Sequence, residues 1–191
     1  MQYRRAFVSG GSFFFTVVTA ERRRLFSDDK NIETLREAFC AVRSKRPFTL
    51  DAAVVLPDHL HCIWMLPPGD PDFATRWRLI KSWFTKHCDS DGASGYASLT
   101  RPTGVRSKRY EPRTSKREQT LWQHRYWEHM LRDETDYRRH VEYIHFNPVK
   151  HGYVNAPMDW PYSSFRRYVK VEIYPSDWGC ETLDFDGVGR E

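Results

Sequence analysis

The residues best able to do chemistry begin with His59 and His61, separated only by Leu60. They follow the apolar run Val54-Val55-Leu56 and the turn pair Pro57-Asp58, and they lead into Cys62-Ile63-Trp64-Met65-Leu66. Two strand residues with one between them project to the same face. Two residues of rise set their α-carbons about 6.6 Å apart. Imidazoles at that spacing can converge on one divalent metal ion or on one phosphate. A core strand gains nothing from two polar rings on one face unless something binds them. The competing reading is a pair of partly exposed histidines at a strand end.

A second group lies some 80 residues on, in Tyr143-Ile144-His145-Phe146-Asn147. A helix opening at Asp133 or Thr135 and running to about Asn147 puts Tyr143 and Asn147 one turn apart on one face. His140 lies three residues before the tyrosine, and Glu142 and His145 flank it. Pro148 is expected to end this helix, because the residue before a proline disfavours the helical region. A phenol, with a pKa of about 10, is a poor nucleophile unless activated. Docked on the histidine face, such a helix would assemble a nucleophile, a metal and an amide ligand. A bound Mg²⁺ or Mn²⁺ polarises a scissile phosphate, and imidazole ligands favour Mn²⁺.

These groups need elements to hold them. Ser12–Ala20 reads as a buried strand by its aromatic and β-branched content. Asp29–Lys45 reads as a helix with Ile32, Leu35, Phe39 and Val42 on its apolar stripe. Thr49–Leu56 and His59–Leu66 read as a strand hairpin. Phe73–His87 reads as a helix capped by Asp72, with Trp77, Ile80 and Phe84 inward and Arg78, Lys81 and Lys86 left for solvent or phosphates. Trp160-Pro161-Tyr162-Ser163-Ser164-Phe165 is expected to pack on the core. The sum is an α+β sandwich, an antiparallel sheet with helices on one face.

Asp89–Gln119 is different. Between Arg101 and Arg117 it carries seven basic residues against one acid, Glu111. It reads as a flexible basic insertion. From Val171 onward the balance reverses, six acids against one base, Arg190. That contrast suggests a tail that folds back over a basic DNA face and tempers activity. The whole chain carries +5, which suits a nucleic-acid partner. Its four cysteines contain no Cys-x-x-Cys pair, which argues against a zinc ribbon or a disulfide framework. No apolar run reaches the roughly 18 residues of a membrane span. A cytoplasmic protein without a membrane partner is expected.

Taken together, these motifs resemble the REP-associated tyrosine transposases, relatives of the small single-tyrosine transposases of simple insertion sequences. The resemblance rests on Pro57-Asp58-His59-Leu60-His61-Cys62-Ile63-Trp64, the "HUH" motif, and on Leu121-Trp122-Gln123 with Tyr126-Trp127-Glu128-His129. It also rests on Glu142-Tyr143-Ile144 and Asn147-Pro148-Val149-Lys150-His151-Gly152. It implies the ferredoxin-like HUH-nuclease fold over residues 1–180; the insertion 89–119 departs from the compact members of the family, and the acidic tail 181–191 follows. It implies a single-stranded DNA hairpin with an adjacent tetranucleotide as substrate, cleaved to a 5′-phosphotyrosine and a free 3′-hydroxyl. By position, Tyr143 is the nucleophile, and His59, His61 and Asn147 are the ligands for Mg²⁺ or Mn²⁺. A Gln at the third-ligand position in several relatives is replaced here by the shorter Asn147. Arg4, Arg5, Arg22, Arg23, Arg78 and Lys81 are candidate DNA contacts. A monomer is expected, with a dimer as the alternative. Tyr126 is the rival tyrosine, read as packing or base-stacking. The rival functions are an HUH-type replication initiator, a silent hairpin-binding protein, and a metal hydrolase acting on small molecules.

Overall fold

The computed structural model describes residues 10–88, 121–180, 185, 188 and 189. Arg4, Arg5, the basic insertion and the rest of the acidic tail lie outside the described residues.

Four antiparallel strands form one sheet. They are β1 (Ser12–Val18), β2 (Thr49–Val55), β3 (His59–Met65) and β4 (Trp127–Met130), in the order β2-β3-β1-β4. The helices are α1 (Asp29–Lys45), α2 (Phe73–His87), α3 (Glu134–Lys150) and α4 (Phe165–Lys170). Strand alternation divides the aromatic β1 between two cores. Phe13, Phe15 and Val17 join Leu60, Cys62 and Trp64 of β3 against α1 and α2. Trp64 stacks on Trp77 of α2 at 4.4 Å between ring centroids. On the other face, Phe14 and Ile63 join Ala52 and Val54 under Val141, Tyr143 and Ile144 of α3.

The α+β antiparallel architecture is as expected, with one difference. Helices cover both faces of the sheet, not one. The reason lies in the period-2 pattern. Every residue of β1 after Ser12 is buried, and so are the first six of β3, so these strands need cover on both sides.

Helix α3 also runs past Pro148 to Lys150. The lost amide costs one hydrogen bond near the helix end. The chain then closes through His151 N–H to Asn147 O at 3.0 Å and Gly152 N–H to Val149 O at 2.9 Å. Gly152, at φ +69°, supplies the left-handed residue that stops the helix. The Trp160–Phe165 segment borders β2, with Val55 N–H donating to Tyr162 O and Ser164 N–H to Ala53 O. It thereby covers an edge that would otherwise be open.

Candidate functional site at the junction of β3 and α3

His59 and His61 both face α3 and are 1% and 0% exposed. Their rings lie 5.0 Å apart at 84°. Each is held by its Nδ1. His59 Nδ1 donates to Asp58 Oδ1 at 2.6 Å, and His61 Nδ1 lies 2.9 Å from Thr16 Oγ1, its register partner on β1. Anchoring one ring nitrogen to a carboxylate or hydroxyl is the usual outer-shell arrangement of a metal-binding histidine. It assigns Nε2 as the nitrogen offered to an ion. Burial works to raise the Asp58 carboxyl, but hydrogen bonds and charge from His59 and Arg22 hold it below its ordinary value. It stays an anion opposite His59.

Helix α3 brings Tyr143 over this pair. The phenol ring lies 5.3 Å from the ring of His61 and 6.1 Å from Phe14. Asn147, one turn on, is fully buried. Lys150 Nζ donates to the Tyr143 hydroxyl at 3.4 Å and lies 4.9 Å from its ring centre. The next residue, His151, sets its ring 5.3 Å from that of His59. Tyr143, Asn147, Lys150 and His151 are spaced i, i+4, i+7 and i+8, one continuous helical face. The spacing was legible, yet sequence reasoning stopped at Asn147.

The site is closed from above. Phe185 packs on the Tyr143 ring at 5.9 Å. Gly189 lies so close that an added Cβ would stand 2.6 Å from ring carbons and 2.8 Å from the hydroxyl.

Other expected contacts fall elsewhere. Lys81 does not face solvent. It is 8% exposed, donates to Gln123 O at 3.2 Å, and lies over the rings of Trp122 and Tyr126. Its place on α2 turns it inward, beside the Leu121–Gln123 segment. Arg78 is exposed and Arg23 half-buried. Arg22 pairs with Asp58 at 3.3 Å, so it supports the histidine site. Tyr126 packs with Phe15 and Trp77 in the other core, across the sheet from the histidines. His145 is buried as well. Burial first, then the nearby Arg167 charge, push its pKa down to about 3, and its Nε2 lies 2.8 Å from Ser164 Oγ.

The donor set fits a divalent ion: two imidazoles braced at Nδ1, with a buried amide on the facing helix. On a four-stranded antiparallel sheet, a His-x-His strand covered by a tyrosine-bearing helix is the frame of a single-tyrosine HUH transposase. No family model matches the chain. A REP-associated tyrosine transposase of Escherichia coli K12 is 42% identical over 189 residues, covering 99% of this chain and 97% of that protein. A Haemophilus influenzae Rd relative carrying the same family name is 41% identical over 177 residues, covering 93% and 92%. A solved REP-associated tyrosine transposase, bound to a REP hairpin, superposes with a TM-score of 0.77 at 41% identity, covering 100% of this chain and 98% of that one. The chain belongs to the REP-associated tyrosine transposases.

Proposed function

We propose that this chain binds a REP-type hairpin of single-stranded DNA and cleaves the strand beside it through Tyr143. The observation that carries this is the phenol held against His61 at 5.3 Å on a buried, braced histidine pair. The Tyr143 oxygen attacks phosphorus and loses its proton. The bond from phosphorus to the 3′ oxygen breaks, and that oxygen leaves as a 3′-hydroxyl after taking up a proton. The protein keeps the 5′-phosphate as a phosphotyrosine, so a later hydroxyl can rejoin the strand without ATP. Lys150 orients the attacking oxygen and offsets charge on it. His59, His61 and Asn147 would hold Mg²⁺ or Mn²⁺, which supplies polarisation of the scissile phosphate. Their nearness to Tyr143 within one chain supports action as a monomer. No helix among the described residues is long and apolar enough to cross a membrane. The family's DNA substrate supports a cytoplasmic place at the nucleoid.

The test is a folded single-stranded hairpin incubated with the chain and Mn²⁺. Tyr143→Phe should keep hairpin binding and lose the covalent adduct on a denaturing gel; a persisting adduct would show that another nucleophile acts. His59→Ala or His61→Ala should lose cleavage with the circular dichroism unchanged. Chelator should abolish cleavage and added Mn²⁺ should restore it. A hairpin-binding protein with a silent site is the second reading, favoured by the Gly189 backbone lying on the Tyr143 hydroxyl. It predicts binding without adduct at every metal concentration.

A further inference from the structure

We propose that His129, Asp136 and His140 form a second metal site, separate from His59 and His61, for a first-row divalent transition ion of the zinc kind. The three donors come from two elements. His129 is the third residue of β4, while Asp136 and His140 are i and i+4 on α3 and so share a face. One ligand atom from each lies within 4.8 Å of the others. Ligands of a tetrahedral zinc ion stand about 3.3 Å apart, so small side-chain adjustments complete the set. Two imidazoles with one carboxylate suit zinc and its neighbours better than Mg²⁺.

The donors are already braced. His129 Nε2 lies 2.8 Å from Asp136 Oδ2, and His140 Nδ1 lies 3.1 Å from Asp136 Oδ1. His140 Nδ1 also lies 2.8 Å from the Asp136 carbonyl, and the Arg132 N–H donates to Asp136 Oδ2 at 3.1 Å. Trp127 lies parallel to the His129 ring at 5.7 Å, and Phe14 packs on His140 at 4.8 Å. The open side faces a cleft of about 680 Å³ whose rim carries Arg132 and Arg139. Those cations suit a phosphate oxygen, or water, as the fourth ligand.

An ion here would replace the hydrogen bond between His129 Nε2 and Asp136, taking the Nε2 lone pair of a ring whose proton sits on Nδ1. It would pin β4 to the helix that carries Tyr143, three residues beyond His140. The Phe14 ring separates the two histidine groups, 5.5 Å from His61 on one side and 4.8 Å from His140 on the other. The same three side chains, without an ion, would act only as a hydrogen-bonded tie between β4 and α3.

Cobalt distinguishes the two. The full chain, stripped with chelator, is titrated with Co²⁺ and followed by calorimetry and visible absorption. The wild type should take up two equivalents. His59→Ala/His61→Ala should keep one, with the d–d bands of nitrogen and oxygen ligation. His129→Gln and Asp136→Asn should each lose that one and keep the other. Uptake unchanged in both of these variants overturns the proposal. So does a thiolate charge-transfer band on the remaining ion, which would assign it to an exposed Cys40 or Cys180. Should the cluster variants fail to fold, the count and spectrum of the His59→Ala/His61→Ala chain decide, and a chain that binds no ion overturns it. A wild type binding one ion that only the cluster variants remove leaves this site standing and removes the first.

Discussion

Asp58 links two groups. Its carboxylate accepts from Arg22 on one side and from His59 Nδ1 on the other. Removing its charge while keeping its shape should leave the fold intact and free the His59 ring to turn. Asp58→Asn is expected to weaken Mn²⁺ binding by about 10- to 100-fold, as losses of outer-shell partners do. Calorimetry on the wild type and the variant measures this directly. His145 gives a different prediction. Its folded pKa, about 3, is depressed below its ordinary value. The stability it lends is complete above about pH 6.5 and is lost as pH falls from there toward the folded value. The slope is at most about 1.4 kcal/mol per pH unit. Urea melts at pH 7 and pH 5 should differ less for His145→Gln than for the wild type. At this scale, residues governed by strand period were readable. His59 and His61 face one way because a pleated strand leaves no choice. Lys81 and Arg22 were not readable as structural groups, because their partners are brought near only by tertiary folding. Gln123 is 42 positions away from Lys81 and Asp58 is 36 from Arg22.

The start of α2 depends on one cation. Arg76, 1% exposed, donates to the carbonyls of Arg46, Pro47 and Asp72 and to Asp70 Oδ2 at 2.7 Å. Arg76→Met keeps the bulk but deserts those acceptors. We expect a loss of about 2–4 kcal/mol, read from the denaturation midpoint. Helices α1 and α2 were legible from their stripes and from the Asp72 cap, whose side chain accepts from Thr75 N–H. Strand β4 was not legible. It is four residues long, Trp-Glu-His-Met, half-buried throughout, and a short piece with little alternation gives no period to read. Its pairing with β1, Phe14 opposite His129, is what brings His129 toward α3. The misjudged end of α3 has a local cause too. Proline forbids one hydrogen bond, but the face bearing Tyr143, Asn147 and His151 packs on the sheet and carries the helix one turn further.

At the scale of the whole molecule, the C-terminal segment reaches back to the helix that carries Tyr143. The described tail residues, Phe185, Val188 and Gly189, all sit by Tyr143 or the neighbouring cleft. Cutting after Lys170 would also strip Tyr174 and Trp178, which stack against Phe165 and Tyr168. A cut after Cys180 is therefore the cleaner experiment. It should raise cleavage of the hairpin without lowering the melting temperature; unchanged cleavage would mean the tail is inert. Charge contrast between the tail and the rest of the chain was visible from composition. Its contact with Tyr143 was not, because the contact uses an aromatic ring and a glycine backbone, neither of which is charged.

Gly189 also has a consequence for kinetics. A segment joined to the same chain competes for Tyr143 at a local concentration that dilution cannot lower. If only a fraction of molecules is open, the apparent DNA affinity falls by that fraction. Gly189→Ala sets a methyl against the phenol from a backbone at φ +73°, so it should shift the population toward open. The variant would then bind hairpin more tightly in apparent terms, while its rate at saturating DNA, measured once the segment has left, stays that of the wild type.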